Sequence, residues 1–298
     1  MGEAGTVAVE DAKEVVGVVG AGLMGAEIAL VHAMAGHDVL LNDRDAATLD
    51  RSMDRLGALM RKGAQRGLHA EAAIEPSLHR IRPTADLENF ACADVVTEAV
   101  FEALDVKAGV LARLDGILRP DCLIATNTST IPISTLAAAL PPARRPHFVG
   151  THYFSPVSRM RLVEVVPGFD TAEATVERAA ALCRGAGKTP IRVKDVAGFA
   201  VNRMLHAFII EAVRLVEEGV ATPEDLDTAC RLGLGHAMGP FELMDAVTSS
   251  LCVQAQEIMQ EAYGERFRPP PLLKQRVRAG YGGGKGRPGW RSRGRAGA

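Results

Sequence analysis

Val15-Val16-Gly17-Val18-Val19-Gly20-Ala21-Gly22-Leu23-Met24-Gly25-Ala26-Glu27-Ile28-Ala29 decides how this chain is read. A β-branched run leads into G-x-G-x-x-G, and an apolar-periodic segment follows. That order predicts strand, tight turn and helix, the setting in which a dinucleotide pyrophosphate is held. Gly20 permits the turn. Gly22 leaves the backbone bare, since a Cβ there would collide with the pyrophosphate. Gly25 lets the helix pack close to the strand. The anion sits at the positive end of the helix, on the N–H groups around Leu23 and Met24.

Working outward, Gly36-His37-Asp38-Val39-Leu40-Leu41-Asn42-Asp43 reads as a turn and a second strand that ends in an acid. Asp43 lies where a carboxylate would accept hydrogen bonds from the adenosine ribose 2′-OH. The same carboxylate would repel a 2′-phosphate, so the expected cofactor is NAD rather than NADP. Arg44 follows directly and could blunt that preference. The competing reading is an ordinary glycine turn and a helix-capping Asp.

The strand–helix alternation continues well beyond this unit. Strands are predicted around 80–83, 94–100, 123–127, 147–154, 161–166 and 191–193. Helical segments fall at 86–91, 102–118 and 171–186, and a helical arm at 45–79 is broken by Gly63 and Gly67. This predicts an α/β fold, a Rossmann-type doubly wound and mostly parallel sheet. After Asp195 the periodicity is helical only, and Thr222-Pro223-Glu224-Asp225 opens one of those helices as cap, N1 proline and first-turn acids. The expected domains are 14–195, a Rossmann domain, and 196–290, a smaller all-α domain that pairs with a second copy of itself. Residues 1–13 and 291–298 are expected to be disordered tails.

With 298 residues, 47% apolar and 23% charged, the composition is that of a soluble globular protein. A net charge of −2 gives no field favouring nucleic acid or membrane surfaces. No apolar run approaches the roughly 20 residues of a membrane span. The first fourteen residues lack the basic start and apolar core of a signal peptide, so a cytoplasmic location is expected. Five scattered cysteines without C-x-x-C spacing read as buried free thiols, and no metal site is expected.

The polar residues that need explaining stand at strand ends. Glu164 sits in the run Leu162-Val163-Glu164-Val165-Val166, where a carboxylate is costly to bury unless paired. His152, in the neighbouring strand, is the natural partner. The Glu would orient the ring and stabilise the imidazolium, and the other nitrogen would be free to take a proton. Ser129 ends a strand and Asn202 lies on the first helix after the boundary; both could face a cleft where ligands of such folds bind. Each also has a plainer reading: a core histidine, a turn or cap serine, a surface amide.

Taken together, these motifs resemble the 3-hydroxyacyl-CoA dehydrogenase family, especially its bacterial 3-hydroxybutyryl-CoA type, over about residues 14–290. The likeness is carried by Gly20–Gly25, Glu98-Ala99-Val100-Phe101-Glu102 with Lys107, and Asn127-Thr128-Ser129-Thr130. It continues through His152-Tyr153-Phe154-Ser155-Pro156, Leu162–Val165, Gly198–Arg203 and Met238–Leu243.

The resemblance implies that His152 removes the 3-hydroxyl proton while C3 gives hydride to the nicotinamide, with Glu164 orienting it. It implies that Ser129 and Asn202 hydrogen-bond the substrate, that Glu102, Lys107, Lys285 and Ser129 help hold NAD, and that Ser52, Lys62 and Asn127 contact the acyl-CoA. It further implies a homodimer and a role in fatty acid metabolism. The chain departs from the pattern at Ser155, where the family commonly has Asn, and at Ala197 and Ala237, where it usually has Pro. Thr248-Ser249-Ser250 replaces a common Gly-Leu-Asp, and the segment around Lys285 is altered. These departures leave the chemistry intact but open the acyl chain length and the carrier, so that a hydroxyacyl group on acyl-carrier protein is one alternative. A second, an NAD-binding homologue without turnover, is opposed by the retained His152, Glu164, Ser129 and Asn202.

Overall fold

Eight strands form one sheet in the order β3-β2-β1-β4-β5-β6-β7-β8 in the computed structural model, which describes residues 13–291. They are β1 (Val15–Val19), β2 (Asp38–Asn42), β3 (Ile81–Thr84), β4 (Val95–Glu98), β5 (Leu123–Thr126), β6 (Phe148–Tyr153), β7 (Leu162–Pro167) and β8 (Thr189–Arg192). The chain winds outward from β1 to β3, then returns to the other side of β1 at β4. That reversal is the switch point at which such sheets bind ligands, and the glycine turn after β1 lies there.

Every strand pair is parallel except β6–β7. The exception follows from chain length. Only residues 154–161 join the two strands, too few for the crossover of a dozen or more residues that a parallel return requires. Antiparallel pairing puts His152 directly opposite Glu164.

Helix α1 (Leu23–Met34) is buried on nearly all sides and carries much of the first core, with Ile28, Leu30 and Val31 against Val16, Val18, Val39 and Leu41. Helix α2 (Ala46–Gln65) covers that cluster with Leu49, Leu56 and Met60. The arm then breaks at Gly67, which has φ +71°, before α3 (Ile74–His79). Gly63, also expected to break the helix, stays inside α2; a Cβ there would meet the His69 ring. Helices α4 (Leu104–Ile117), α5 (Ile133–Ala137) and α6 (Glu173–Gly185) complete this part, and the segment at 86–91 is a 3-10 turn rather than an α-helix. The five-residue α5 has no sequence periodicity to betray it. Its N-terminus is capped by Asp195, whose carboxylate accepts from the Ile133 and Ser134 amides at 2.7 and 2.8 Å.

The chain divides into two compact units between Asp195 and Val196. The second contains α7 (Val201–Glu217), α8 (Pro223–Gly233), α9 (Pro240–Val247), α10 (Ser249–Tyr263) and α11 (Pro271–Arg278). Ile209, Val213, Phe241, Met244, Cys252, Leu273 and Trp290 form its core. Thr222 caps α8, its hydroxyl accepting from the Asp225 amide. Helices α9 and α10 are separated by Thr248 alone, a non-glycine residue at φ +89°.

The expected tails lie outside the described residues except for Lys13 and Arg291. Arg291 is tied down: its amide donates to Asp245 and its guanidinium pairs with Glu242 at 2.6 Å. All five cysteines are free thiols, and Cys92 is exposed where a buried one was expected. No helix among the described residues is long and apolar enough to cross a membrane.

Candidate active site

The glycine turn is shaped by contacts that exclude side chains at two of its three glycines. Gly20 has φ +102°, and a Cβ there would lie 2.6 Å from the Ala99 carbonyl oxygen. A Cβ on Gly25 would lie 1.8 Å from the Gly20 carbonyl oxygen. Gly22 is different, since a Cβ there meets no protein atom within 4 Å. No side chain caps the start of α1 and no acid occupies its first turn, so its positive end is left to an outside anion. A bare backbone at an uncapped helix N-terminus fits a pyrophosphate, and the residues present suit NAD.

Neighbouring side chains brace this turn. Asp43 Oδ2 accepts from the Ala21 amide at 3.0 Å, so the acid that ends β2 also fixes the glycine turn. From α2, the Ser52 hydroxyl donates to the Ala21 carbonyl and Arg55 Nη2 to the Gly22 carbonyl, the latter at 2.9 Å. Ser52 is buried, and its hydroxyl braces the turn.

His152, Glu164 and Ser129 form one hydrogen-bonded line. Glu164 Oε2 lies 2.8 Å from His152 Nδ1, and His152 Nε2 lies 3.0 Å from Ser129 Oγ. Both members of the His–Glu pair are buried. A carboxylate only accepts, so Nδ1 carries the ring proton and Nε2 is left as the acceptor. The arrangement can therefore take up a proton at Nε2 while Glu164 offsets the charge that forms. Asn127 Oδ1 accepts from the Tyr153 amide at 2.8 Å, tying the end of β5 to the strand that carries His152.

Ser129 is positioned by Glu102. One oxygen of Glu102 accepts from the Ser129 amide at 2.8 Å, the Thr130 amide at 3.0 Å and the hydroxyls of Thr128 and Thr130. Burial alone would raise its pKa; the Lys107 charge and these hydrogen bonds outweigh that, and the carboxyl is held below its usual range. Lys107, expected at the cofactor, is buried, with Nζ 2.8 and 3.1 Å from the two oxygens of Glu98, 3.4 Å from the Val100 carbonyl oxygen and 3.2 Å from Glu102. Glu98 was given no role from the sequence, although its signal was close to that of Glu164: an acid in an apolar strand, at the end of β4 where Glu164 is inside β7.

The remaining predicted residues are less gathered. Leu23 is exposed and Met24 half-buried on the first turn of α1. Lys62 is exposed and, with Arg66, His69 and Arg159, lines a cavity of about 100 Å³. Asn202 is the second residue of α7 and Lys285 lies exposed in the loop after α11, both in the second unit. Among the described residues no cluster of His, Cys, Asp and Glu could hold a metal ion.

Residues 15–196 match the model of the 3-hydroxyacyl-CoA dehydrogenase NAD-binding domain, and residues 198–292 that of the C-terminal domain of the same enzymes. The chain belongs to the 3-hydroxyacyl-CoA dehydrogenase family. It is an NAD-dependent dehydrogenase. It is 38% identical to a probable 3-hydroxybutyryl-CoA dehydrogenase of Deinococcus radiodurans, over 90% of this chain and 96% of that one. Identity to the 3-hydroxybutyryl-CoA dehydrogenase of Bradyrhizobium diazoefficiens is 37%, covering 91% and 92%. The crystal structure of FadB2 from M. tuberculosis superposes with a TM-score of 0.90 at 37% identity, over 94% of this dehydrogenase and 99% of that chain. The (S)-3-hydroxybutyryl-CoA dehydrogenase of Ralstonia eutropha gives 0.88 at 35% identity, over 93% and 98%.

Proposed function

We propose that this dehydrogenase interconverts a short-chain L-3-hydroxyacyl-CoA and the 3-oxoacyl-CoA, with His152 as the general base. The observation that carries the reading is the Glu164–His152–Ser129 line, in which Nε2 is the one ring nitrogen left to accept a proton. Gly20, Gly22, Leu23, Met24, Gly25 and Asp43 hold NAD, which supplies the hydride acceptor. The 3-hydroxyl of the substrate lies beside Ser129 and passes its proton to Nε2. Glu164 keeps the ring oriented and stabilises the imidazolium. Asn202 hydrogen-bonds the acyl carbonyl. Lys62 meets the acyl-CoA, and Lys285 reaches the cofactor. In the reverse direction the imidazolium returns its proton to the forming alkoxide.

Loss of NADH absorbance with acetoacetyl-CoA tests this. Wild type oxidises NADH, and His152→Ala lowers kcat by about 10²–10⁴-fold, the worth of a positioned base, with its circular dichroism unchanged. A fully active His152→Ala removes the assigned role, and an inert wild type removes the function.

Ser155 and the altered Lys285 segment favour a second reading, in which the acyl group rides on acyl-carrier protein; a large preference for the CoA thioester over the carrier-protein thioester eliminates it. The protein is assigned to the cytoplasm and to fatty acid metabolism, as a homodimer formed through the α-helical unit. Met204, Val220, Leu232 and Leu234 of that unit are exposed apolar side chains of the kind a partner surface buries. A sedimentation mass of one chain at micromolar concentration would exclude the dimer.

A further inference from the structure

Helix α2 meets the glycine turn with two side chains one turn apart, Ser52 and Arg55. We propose that both are positioning residues for the pyrophosphate of NAD: Ser52 keeps a backbone N–H aimed at it, and Arg55 holds a positive charge beside it. The inference rests on the reading of Gly20–Gly25 as the NAD turn.

The two side chains take hold of successive peptide units. The Ser52 hydroxyl donates to the Ala21 carbonyl, and Arg55 Nη2 donates to the Gly22 carbonyl at 2.9 Å. A trans peptide is planar, with its C=O and N–H pointing in opposite directions. Both carbonyls are drawn toward α2, so the N–H groups of Gly22 and Leu23 are directed away from it. These two amides stand at the uncapped, positive end of α1.

The two grips do different work. The Gly22 carbonyl is already fixed by the helix, since it accepts from the Ala26 amide. The Ala21 carbonyl lies before the helix and is held by Ser52. Gly22 has φ −62°, but a glycine takes positive φ about as readily, so its own sterics do not stop the 21–22 peptide from turning over. A turned peptide would present a carbonyl oxygen to the anion in place of an N–H. Ser52 prevents this from a rigid base: it is 1% exposed, between Leu49 and Leu56, which are seated in the core.

Arg55 meets a carbonyl that needs no further fixing, so its contribution is charge. Among the described residues no carboxylate pairs with Arg55, whereas Arg51, one turn earlier, is paired with Asp45 at 3.3 Å. A guanidinium stays protonated at any working pH. Held at the Gly22 carbonyl, it adds a full charge to the partial charge of the helix end.

Fluorescence titration with NADH, and its competition by adenosine, which lacks the pyrophosphate, test this on the full chain. Ser52→Ala should raise the Kd for NADH by about two- to tenfold, the worth of one hydrogen bond. Arg55→Met should raise it by roughly three- to tenfold, the scale of one partly screened charge. Adenosine should bind wild type and both variants within about twofold. The Arg55→Met effect should shrink as salt rises from about 0.05 to 0.5 M, and the Ser52→Ala effect should persist. Arg55→Lys, which keeps the charge, should recover much of the lost affinity.

Equal losses for NADH and adenosine would leave the pair as mere support of the turn and overturn the proposal. So would an Arg55→Met effect indifferent to salt. A rise in KM for acetoacetyl-CoA at unchanged NADH affinity would assign the two residues to the pyrophosphate of the acyl-CoA and overturn it equally. Should Ser52→Ala not fold, the half-buried Arg55 carries the test through its two variants. A wild type that does not bind NADH would remove the reading of the turn and this inference with it. A wild type that binds NADH but is inert toward the thioester would remove only the function proposed above, since every binding comparison could still be made.

Discussion

At the scale of single residues, the site is a set of buried charges, each given a counter-charge. Glu164 is fully buried and has His152; Lys107 is buried and has two carboxylates. Burying either alone would cost several kcal/mol. Changing Glu164 to Gln keeps the shape and an acceptor for Nδ1, and removes the charge that offsets the imidazolium. Glu164→Gln should lower kcat/KM by ~10²-fold or more with KM for NADH unchanged. Steady-state rates with acetoacetyl-CoA check this, and activity near wild type would leave orientation as the only role of Glu164. The same rule explains what was legible. An acid inside an apolar strand announces a partner, and Glu164 was read that way. Glu98 carried the same announcement, but nothing in sequence spacing says that its partner is a lysine nine residues on. Lys107 and Ser52 were placed at ligands by resemblance alone, and the protein contacts each makes, to Glu98 and to the Ala21 carbonyl, are not written in sequence spacing.

At the scale of elements, strand, turn and helix were read correctly because the constraint is local. Gly25 must be bare where α1 crosses the end of β1, and the clash at 1.8 Å is with backbone that cannot turn aside. Gly25→Ala should destabilise the protein by about 1–3 kcal/mol, the cost of forcing an extra carbon into a packed site, and weaken NADH binding. Thermal melts and NADH fluorescence titration measure the two effects, and an unchanged melt would show that the helix can shift at no cost. Elements without periodicity stayed hidden. Helix α5 is five residues long, and the contact that caps it comes from Asp195, 62 positions from Ile133. Gly63 and Gly67 look alike in sequence, yet only Gly67 takes the left-handed conformation that ends a helix. Spacing does not separate a glycine kept for its backbone from one kept for a neighbouring ring.

At the scale of the molecule, each of the two units hides a neutral imidazole. Burial pushes His32 down to about 3, with His37 and Lys188 adding to it, and His206 down to about 4. Below pH 6.5 the unfolded chain takes a proton on each ring that the folded chain refuses until those lower values. Stability should therefore fall as pH drops from about 6.5 toward 4, by about 1.4 kcal/mol per pH unit for each ring. Urea midpoints between pH 7 and 4.5 would show it, and His206→Leu should flatten the dependence; an identical slope in that variant would clear His206. The turnaround at residues 154–161 also bears on how the chain assembles itself. His152 and Glu164 are 12 positions apart, whereas His152 and Ser129 are separated by 23. Hairpins close in about 1–10 μs, while parallel pairing must wait for longer loops to find their ends. Pulse-labelled hydrogen exchange should accordingly protect β6 and β7 no later than β1 and β4, and the reverse order would refute this. Acid and base are then brought together by the quickest kind of contact a sheet can make, and the serine's reach is what the slower assembly adds.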